Sequence, residues 1–349
     1  MKHRILFGAS LLLVVMLVAG TVAAQNQRIG TSAAPELLIP VGGRDLAMGG
    51  SSIALTQGVE AIHWNPAGLA RINHQAEGMF SSMSYIGDIT VSYGAVATQF
   101  GDFGVVGLSL RSLDFGKIPV TTVEDEDGVN GGTYSPTYVT LGLTYGRQVT
   151  DAVSVGGTAK LITESIDRVS ASGLAFDLGL QYNGLLAVKG LQLGITVKNI
   201  GPSMQFDGNG LLRNATSSDG GRPEQPYKSQ AASFELPSVI EIGASYSGKT
   251  EDNTNLYSVS GTYTNNNLYL DQYKIGGEYG YSLEPVKLFA RAGYEFVPQL
   301  NDVKDNVFGL TLGAGVSYNT GGIDLTFDYA FRKAEFFDNN NVFSLKVGF

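Results

Sequence analysis

Residues 308–318 read "FGLTLGAGVSY", and alternate positions of this stretch carry two different kinds of side chain. Apolar residues from Phe308 to Tyr318 occupy one parity, while glycine, threonine and serine occupy the other. Side chains point to opposite faces along a β-strand, so the stretch predicts a strand with one apolar face and one face of small residues. The same alternation is present in "YVTLGLTYG" at residues 138–146 and in "IDLTFDYAFR" at residues 323–332.

Strands of this kind belong either to a soluble β-sandwich, with the apolar face inward, or to a membrane barrel, with the apolar face toward lipid. The small residues of the second face suit a lumen better than the Lys- and Glu-rich surface of a soluble protein. Aromatic residues also stand at the ends of apolar faces, as in interfacial girdles, namely at Tyr145, Tyr182, Tyr318 and Phe331. The predicted fold class is therefore all-β, a transmembrane antiparallel β-barrel.

About fourteen segments alternate in this way, each near the 9–11 residues that a tilted membrane strand needs. They lie near residues 76–86, 90–100, 103–112, 138–149, 153–164, 173–184, 190–199, 238–247, 256–264, 270–281, 286–296, 307–318, 321–332 and 341–349. This count places the two long connections, 113–137 and 200–237, on the same side of the barrel, as expected of outer loops. The connection at 200–237 is rich in Gly, Ser, Asn and Pro and is expected to be irregular.

The composition agrees with an exported membrane barrel. Hydrophobic residues make up 43% of the chain and charged residues 16%, where a soluble domain usually has about 25% charged residues. A formal net charge of −9 without a basic cluster argues against nucleic acid as a partner. The chain has no Cys, so it relies on no disulfide.

The N-terminal residues predict export. A basic start, an apolar run and the small residues before Gln25 are typical of a secretory signal peptide over residues 1–24. Beyond it, no apolar run approaches the roughly 20 residues of a spanning helix. The sequence thus predicts a signal peptide at 1–24, a plug segment at 25–75 and an outer-membrane barrel at 76–349, surrounded by outer-membrane lipid.

The chain closes with "VFSLKVGF", in which alternate residues are apolar and the last is aromatic. This ending resembles the C-terminal signal by which the outer-membrane assembly machinery recognises its clients. The predicted assembly-signal residues are Phe343, Leu345, Val347 and Phe349.

Residues 25–75 do not alternate, and they are too apolar for a linker. Because larger barrels are either channels or plugged, this segment is expected to lie in the lumen as a hatch, with Trp64 and Leu69 packed against the wall. Pro66 is expected to end a helical turn, and Gly68 to permit a tight bend. The predicted hatch-motif residues are Gly42, Gly43, Gly49, Gly50, Trp64, Asn65, Pro66 and Gly68.

The stretch "RDLAMGGSSIAL" at 44–55, followed by "AIHWNPAGLA" at 61–70 and a barrel ending in Phe349, resembles the PorV/PorQ family of outer-membrane proteins. That family is part of the long-chain fatty acid transporter-like (FadL-like) superfamily, which shares the Asn-Pro-Ala-Gly turn before the first strand. The resemblance implies a fourteen-stranded barrel with an N-terminal hatch. It also implies a role in type IX secretion, in which PorV-like proteins receive cargo from a translocon.

Catalysis and metal binding have little support in the sequence. Outside the signal peptide only His63 and His74 remain, and no strand carries a His that could serve a hydrolytic site. Without Cys, two His eleven residues apart do not form a typical zinc site. We therefore expect no enzyme activity, no metal and no cofactor. Charged residues on the lumen parity either pair and pin the hatch or line a polar path, and buried charges normally pair.

Three functions remain compatible with these observations. The sequence reading adopted is a secretion-associated barrel of the PorV/PorQ type that binds cargo or translocon partners through its long outer loops. The alternative is a FadL-like transporter of hydrophobic small molecules, which needs an apolar pocket beside the hatch and an opening in the wall. Proline inside a strand would indicate such an opening, and the prolines lie outside the predicted strands. A general porin is disfavoured by a filled lumen.

Overall fold

The computed structural model describes residues 30–129, 131–216, 223–298 and 306–349. The predicted signal peptide lies outside the described residues, and its cleavage stays a prediction. In the described part of the chain, no helix has the length and apolar character needed to cross a membrane.

Fourteen antiparallel strands form a closed barrel in which each strand pairs with its neighbours in chain order and the first pairs with the last. The strands are β1 Ala76–Ser84, β2 Thr90–Gln99, β3 Val105–Asp114, β4 Thr137–Gln148, β5 Val153–Ile166, β6 Val169–Asn183, β7 Leu191–Ile200, β8 Val239–Lys249, β9 Asn255–Asn266, β10 Gln272–Leu283, β11 Val286–Phe296, β12 Phe308–Asn319, β13 Asp324–Ala334 and β14 Asn340–Gly348. Each lies within a few residues of a segment predicted from the alternation. The predicted all-β transmembrane barrel is confirmed.

The alternation places apolar side chains outside the barrel and small polar side chains inside it. On β3 and β4, Leu110, Leu141 and Leu143 point outward and are 47%, 50% and 54% exposed. Thr144, on the opposite face of β4, is buried, and its hydroxyl lies 2.9 Å from that of Thr158 on β5. Exposing apolar surface to water costs about 25 cal/mol per Å², so this outer face is matched to lipid.

The two ends of the barrel differ in the length of their connections. We call the end with the long connections the outer mouth and the end with the short turns the inner mouth. The connection expected to be irregular, 200–237, contains two short antiparallel ladders, and a third lies in 113–137. The pairs are Met204–Gln205 with Ser233–Phe234, Leu212–Ala215 with Gln225–Lys228, and Ile118–Pro119 with Thr133–Tyr134. Composition did not reveal these ladders, because the pairing depends on how the chain folds back on itself.

The pairing of the wall strands is regular apart from two shifts in register. None of the fourteen strands contains proline, and β3 pairs with β2 and β4 without a shift in register. Register shifts occur at Phe176/Leu178 between β6 and β7, and at Phe308/Thr311 between β12 and β13. Single-turn 3₁₀ helices occupy several connections, at Ile86–Asp88, Gly101–Phe103, Leu185–Ala187 and Asn209–Leu211.

Residues 30–75, which we call the hatch, fill the lumen with short helices and turns. Its elements are the 3₁₀ helices Pro35–Leu38, Gly58–Glu60 and Pro66–Arg71 and the α-helices α1 Gly43–Ala47 and α2 Ala61–Trp64. The apolar core lies between the hatch and the wall. In one cluster Val59, Ile62 and Leu69 of the hatch pack against Tyr93 of β2 and Val105 of β3. The barrel is therefore plugged by its own N-terminal segment.

Candidate functional site

The hatch crosses the lumen from the outer mouth to the inner mouth. At the outer mouth, the amide of Ala33 donates to the carbonyl of Glu235 at 2.9 Å, and the hydroxyls of Ser32 and Tyr269 lie 2.7 Å apart. At the inner mouth the hatch continues into β1 at Ala76. Any solute that passes along the lumen must pass this segment.

The hatch packs against glycines on the inner face of the wall. We call them the glycine belt, and they are Gly146, Gly156, Gly179, Gly194, Gly243, Gly276 and Gly293. Neighbouring strands place them side by side, as with Gly156 of β5 opposite Gly179 of β6. A Cβ on Gly156 would overlap the carbonyl oxygen of Pro66, and one on Gly194 would lie 2.8 Å from the amide nitrogen of Ala54. The hatch backbone therefore rests directly on the wall, with no wall side chain between them.

The Asn-Pro-Ala-Gly turn is held by the side chain of Asn65. Its amide nitrogen donates to the carbonyls of Ile53 at 2.9 Å and Leu180 at 3.2 Å, and its oxygen accepts from the amide of Ala67 at 3.2 Å. α2 ends at Trp64, and Pro66 begins the next 3₁₀ helix, so Pro66 lies between the end of one helical turn and the start of another. Proline fits the first helical position because the amide hydrogen that it lacks has no partner there.

Gly68 and Trp64 both lie in close contact with other parts of the hatch. A Cβ on Gly68 would overlap the carbonyl oxygen of Thr56. Trp64 is 4% exposed, and its indole nitrogen donates to the carbonyl of Val41 at 3.1 Å. A Cβ on Gly50 would lie 2.9 Å from the Trp64 ring. The structure thus brings both hatch motifs, 44–55 and 61–70, into direct contact.

The first motif folds around a buried carboxylate that the sequence had not singled out. Asp45 is 1% exposed and accepts hydrogen bonds from the hydroxyls of Ser52 and Thr56. Burial raises the pKa of Asp45 to about 6, although the neighbouring Arg44 opposes the shift. Around it, Gly42, Gly49 and Gly50 have positive φ, whereas Gly43 does not and instead donates its amide to Ser344 on β14 at 3.0 Å.

Most of the lumenal charges are paired, as expected of buried charges. Hatch and wall are joined by Arg44 with Glu278 at 3.1 Å and Glu60 with Lys346 at 2.8 Å, and the His74 imidazole lies 2.6 Å from Asp324 and 3.1 Å from Glu77. Other pairs join wall strands to one another, namely Lys160–Asp177, Lys198–Glu241, Lys274–Glu241, Arg291–Glu278, Arg291–Asp328 and Arg332–Glu295. The partners lie on different strands, and sequence spacing alone could not pair them.

A cavity of about 280 Å³ lies on the outer side of the hatch. Its apolar surface comes from both hatch and wall, through Leu37, Leu38, Ile39, Leu46, Trp64, Val239 and Phe308. Lys198, Glu241, Lys274, Glu295 and Arg332 add charge at its edge. We call this space the outer cavity.

His63 contributes to the outer cavity as a neutral group. Burial lowers the pKa of His63, and the positive charges of Arg111 and Lys198 lower it further. Its Nδ1 lies 2.7 Å from the guanidinium of Arg111, which fits an unprotonated nitrogen that accepts. His63 therefore offers no partner arrangement of the kind that activates a nucleophile.

A second space of about 910 Å³ lies on the inner side of the hatch. It is lined mainly by polar and charged residues, among them Arg44, Glu60, Glu77, Gln192, Glu278 and Lys346. We call it the inner vestibule. Hatch residues line both spaces, so the hatch is the partition between them.

The predicted assembly-signal residues lie on the closing strand. Phe343, Leu345 and Phe349 are 50%, 46% and 60% exposed on the lipid side, and Val347 is half-buried. Phe349 exchanges two backbone hydrogen bonds with Ala76, at 2.9 and 3.0 Å, where the barrel closes. Their role in assembly stays a prediction.

No protein-family model matches the chain, and no curated protein matches it. Among solved structures, it is similar to the toluene transporter TbuX of Ralstonia pickettii, with 14% identity and a TM-score of 0.56 over 88% of this chain and 98% of that one. It is also similar to the toluene transporter TodX of Pseudomonas putida, with 14% identity and a TM-score of 0.54 over 87% and 96% of the two chains. These likenesses establish a shared fold, that of a plugged fourteen-stranded transmembrane barrel. They do not confirm the resemblance to the PorV/PorQ family.

Proposed function

We propose that the protein is an outer-membrane transporter that admits small hydrophobic molecules through the outer cavity. The observation that carries this proposal is the outer cavity itself, a space between the outer mouth and the hatch whose lining combines apolar and charged residues. The shared fold with two toluene transporters supports the same function. No catalytic step is part of the proposal.

The size and the lining of the outer cavity favour a compact ligand. Pockets for small molecules usually measure about 300–1,000 Å³, and the outer cavity is near the lower end of that range. Leu38, Trp64 and Phe308 supply surfaces that favour an apolar body. The rings of Tyr85 and Phe308, whose centroids lie 6.3 Å apart, add aromatic surface to this lining.

Uptake of a labelled monoaromatic hydrocarbon tests the proposal. We expect cells that produce the protein to take up toluene faster than cells with an empty vector. Leu38→Trp, which fills the outer cavity, should reduce uptake several-fold. Leu110→Trp makes the same change on the lipid face, where Leu110 is 47% exposed, and should leave uptake unchanged.

A second readout uses Trp64, the only tryptophan of the chain. Because its ring lines the outer cavity, a bound apolar molecule should change its emission in purified protein held in lipid nanodiscs. Equal uptake with and without the protein, together with unchanged Trp64 emission, would rule out this function.

The secretion role implied by the PorV/PorQ resemblance remains a second candidate, and the closed wall favours it. β3 is paired along both edges, and the hatch rests on the glycine belt, so the described wall offers no side opening at this strand. The outer connections present apolar side chains to solvent, with Val123 88% and Val129 80% exposed. Such a surface suits a protein partner better than a passing solute.

Affinity purification from outer membranes separates the two candidates. Recovery of a large translocon barrel, or of secreted proteins that share a C-terminal domain, would support the secretion role. Recovery of apolar small molecules without a protein partner would support the transporter.

A further inference from the structure

One short segment of the hatch borders both the outer cavity and the inner vestibule. Leu46, Gly49 and Gly50 line the outer cavity, while Arg44 lines the inner vestibule. α1 and the turn after it, residues 43–50, therefore form part of the partition between the two spaces, together with residues 58–64.

The segment is fastened to the wall by one charged contact. The Arg44 guanidinium donates twice to the Glu278 carboxylate, from Nε and from Nη2, both at 3.1 Å. Glu278 also accepts from Arg291 at 2.6 Å, and Arg291 donates to Asp328 at 2.6 Å. This chain of two cations and two anions has a single member on the hatch, Arg44. Paired charges in a site of low polarity hold strongly, and removing one partner leaves the other unpaired.

The remaining contacts of the segment carry no charge. Leu46 and Ala47 are buried in an apolar cluster with Ala330 of β13 and Val342 of β14. Gly43 donates its amide to Ser344 at 3.0 Å, and the Thr311 hydroxyl donates to the carbonyl of Ala47 at 3.0 Å. At its far end, Gly49 rests against Gly293 of the belt. Neutral hydrogen bonds of this kind contribute less than charged ones, and water can replace them.

Glycines with left-handed backbone conformation stand at both ends of α1. Gly42 has φ of 81°, and Gly49 and Gly50 have φ of 67° and 70°. Glycine passes between such conformations and ordinary ones with little penalty, which is what a hinge requires. Both the Asn65 turn and the end of the segment at Met48 and Gly49 rest on the glycine belt.

We propose that residues 43–50 are a gate and that the Arg44–Glu278 ion pair is its latch. When the latch opens, the segment turns about Gly42 and Gly49–Gly50 and joins the outer cavity to the inner vestibule. The inference rests on the proposed function only in that a solute crosses the lumen. It adds the route, along β10 to β13, and the residues that close it.

Ion conductance in planar lipid bilayers tests the latch. We expect the native protein to conduct rarely. Glu278→Gln keeps the size of the side chain but removes the charge that holds Arg44, so its open time should rise roughly ten-fold or more. Arg44→Gln breaks the same pair from the hatch side and should act alike, which keeps the test decisive if one variant does not fold.

Two controls separate the latch from general loosening of the barrel. Asp177→Asn breaks the buried Lys160–Asp177 pair, which joins β5 to β6 without touching the hatch, and should leave the open time unchanged. Asp328→Asn acts within the four-charge chain but leaves the Arg44–Glu278 pair intact, so its effect should be smaller than that of Glu278→Gln. Folding of each variant is checked by its heat-dependent mobility in gel electrophoresis.

A reversible lock provides the complementary test in a chain without cysteine. A Cβ on residue 43 would lie 3.1 Å from Ser344 Oγ, so Gly43→Cys with Ser344→Cys places two thiols within disulfide reach. Oxidation should close the gate in the Glu278→Gln background, and a reductant should restore conductance. The inference would be overturned if neither the latch variants nor oxidation of the two introduced cysteines changed the conductance.

The outcomes keep this inference apart from the proposed function. If Glu278→Gln conducts and the lock closes it, while no apolar molecule is taken up, the gate stands and the proposed function fails. If toluene uptake is present and neither the latch variants nor the lock changes conductance or uptake, the transporter stands and the gate fails.

Discussion

Gly179 on β6 and Asn65 in the hatch approach so closely that a Cβ on the glycine would overlap the side-chain oxygen of the asparagine. The same asparagine donates to the carbonyl of Leu180, the next residue of β6. Hatch and wall are thus fitted at the level of the backbone. A substitution in either the hatch or the wall at this contact should therefore disturb the packing of both.

Gly179→Ala should lower the free energy of unfolding by about 1–3 kcal/mol, because the added methyl group has no space. It should also shift the emission of Trp64 by displacing the turn. Gly94→Ala, on β2, adds a methyl group where nothing lies within 4 Å and should be neutral. Urea unfolding in detergent, followed by Trp64 emission, measures both variants. Equal midpoints for the two would contradict a close fit.

Asn65→Ala should destabilise the hatch by about 1–3 kcal/mol, since it leaves buried carbonyls without their donor. The expected sign is faster cleavage within residues 30–75 by added protease, with the barrel strands still protected. Asn73→Ala, at an exposed position of the same segment, is the matched control. A hatch equally resistant in both variants would mean that the side chain of Asn65 does not hold the turn.

Glu36 should make stability depend on pH. Burial, together with the neighbouring carboxyl of Glu164, raises the pKa of Glu36 from 4.5 to about 8. The folded protein therefore prefers the protonated form, and its stabilisation is complete below about pH 4.5 and is lost as the pH rises to about 8. Glu36→Gln should be more stable than the native protein at pH 8 and similar to it at pH 4.5. Unfolding midpoints across this range measure the effect, and parallel curves for the two proteins would refute it.

We expect the contacts of His74 with β1 and β13 to stabilise the barrel more at acidic pH than at alkaline pH. Burial alone would lower its pKa, but hydrogen bonds to Glu77 at 3.1 Å and Asp324 at 2.6 Å raise it above 6.5. The stabilisation is present below pH 6.5 and is lost as the pH rises through the higher, folded-state pKa. His74→Gln should remove this dependence. The unfolding midpoints of the native protein and His74→Gln are measured at about pH 5.5 and about pH 9. If the difference between the two midpoints is the same at both pH values, the ion pairs of His74 do not cause the pH dependence.

The strands could be predicted from the sequence because alternate residues of a membrane strand face two different environments, lipid and lumen. In β4 and β12, outward residues face lipid and inward residues face the lumen, so apolar and small residues alternate over most of the strand. The hatch was recognised by the loss of this alternation at residues 25–75. Its position in the lumen follows from the space inside a fourteen-stranded barrel.

The contacts of the hatch could not be predicted in the same way. Arg44 and Glu278 are 234 positions apart, and their meeting depends on the tilt and register of β10 within the closed ring. Asp45 was overlooked because a lone carboxylate beside Arg44 resembles an ordinary surface pair until its burial is known. Pro66 follows the end of α2 and also begins the next 3₁₀ helix, and the sequence analysis considered only the first of these two positions.

The glycine belt also sets what the barrel would be without its plug. Side chains normally narrow the bore of a barrel from within, but at the level of Gly156, Gly179 and Gly194 the wall contributes only its backbone. Emptied of residues 30–75, the fourteen-stranded ring would be open at the level of these glycines and would make the outer membrane permeable to solutes. Retention of the hatch is thus a condition for keeping the permeability barrier intact.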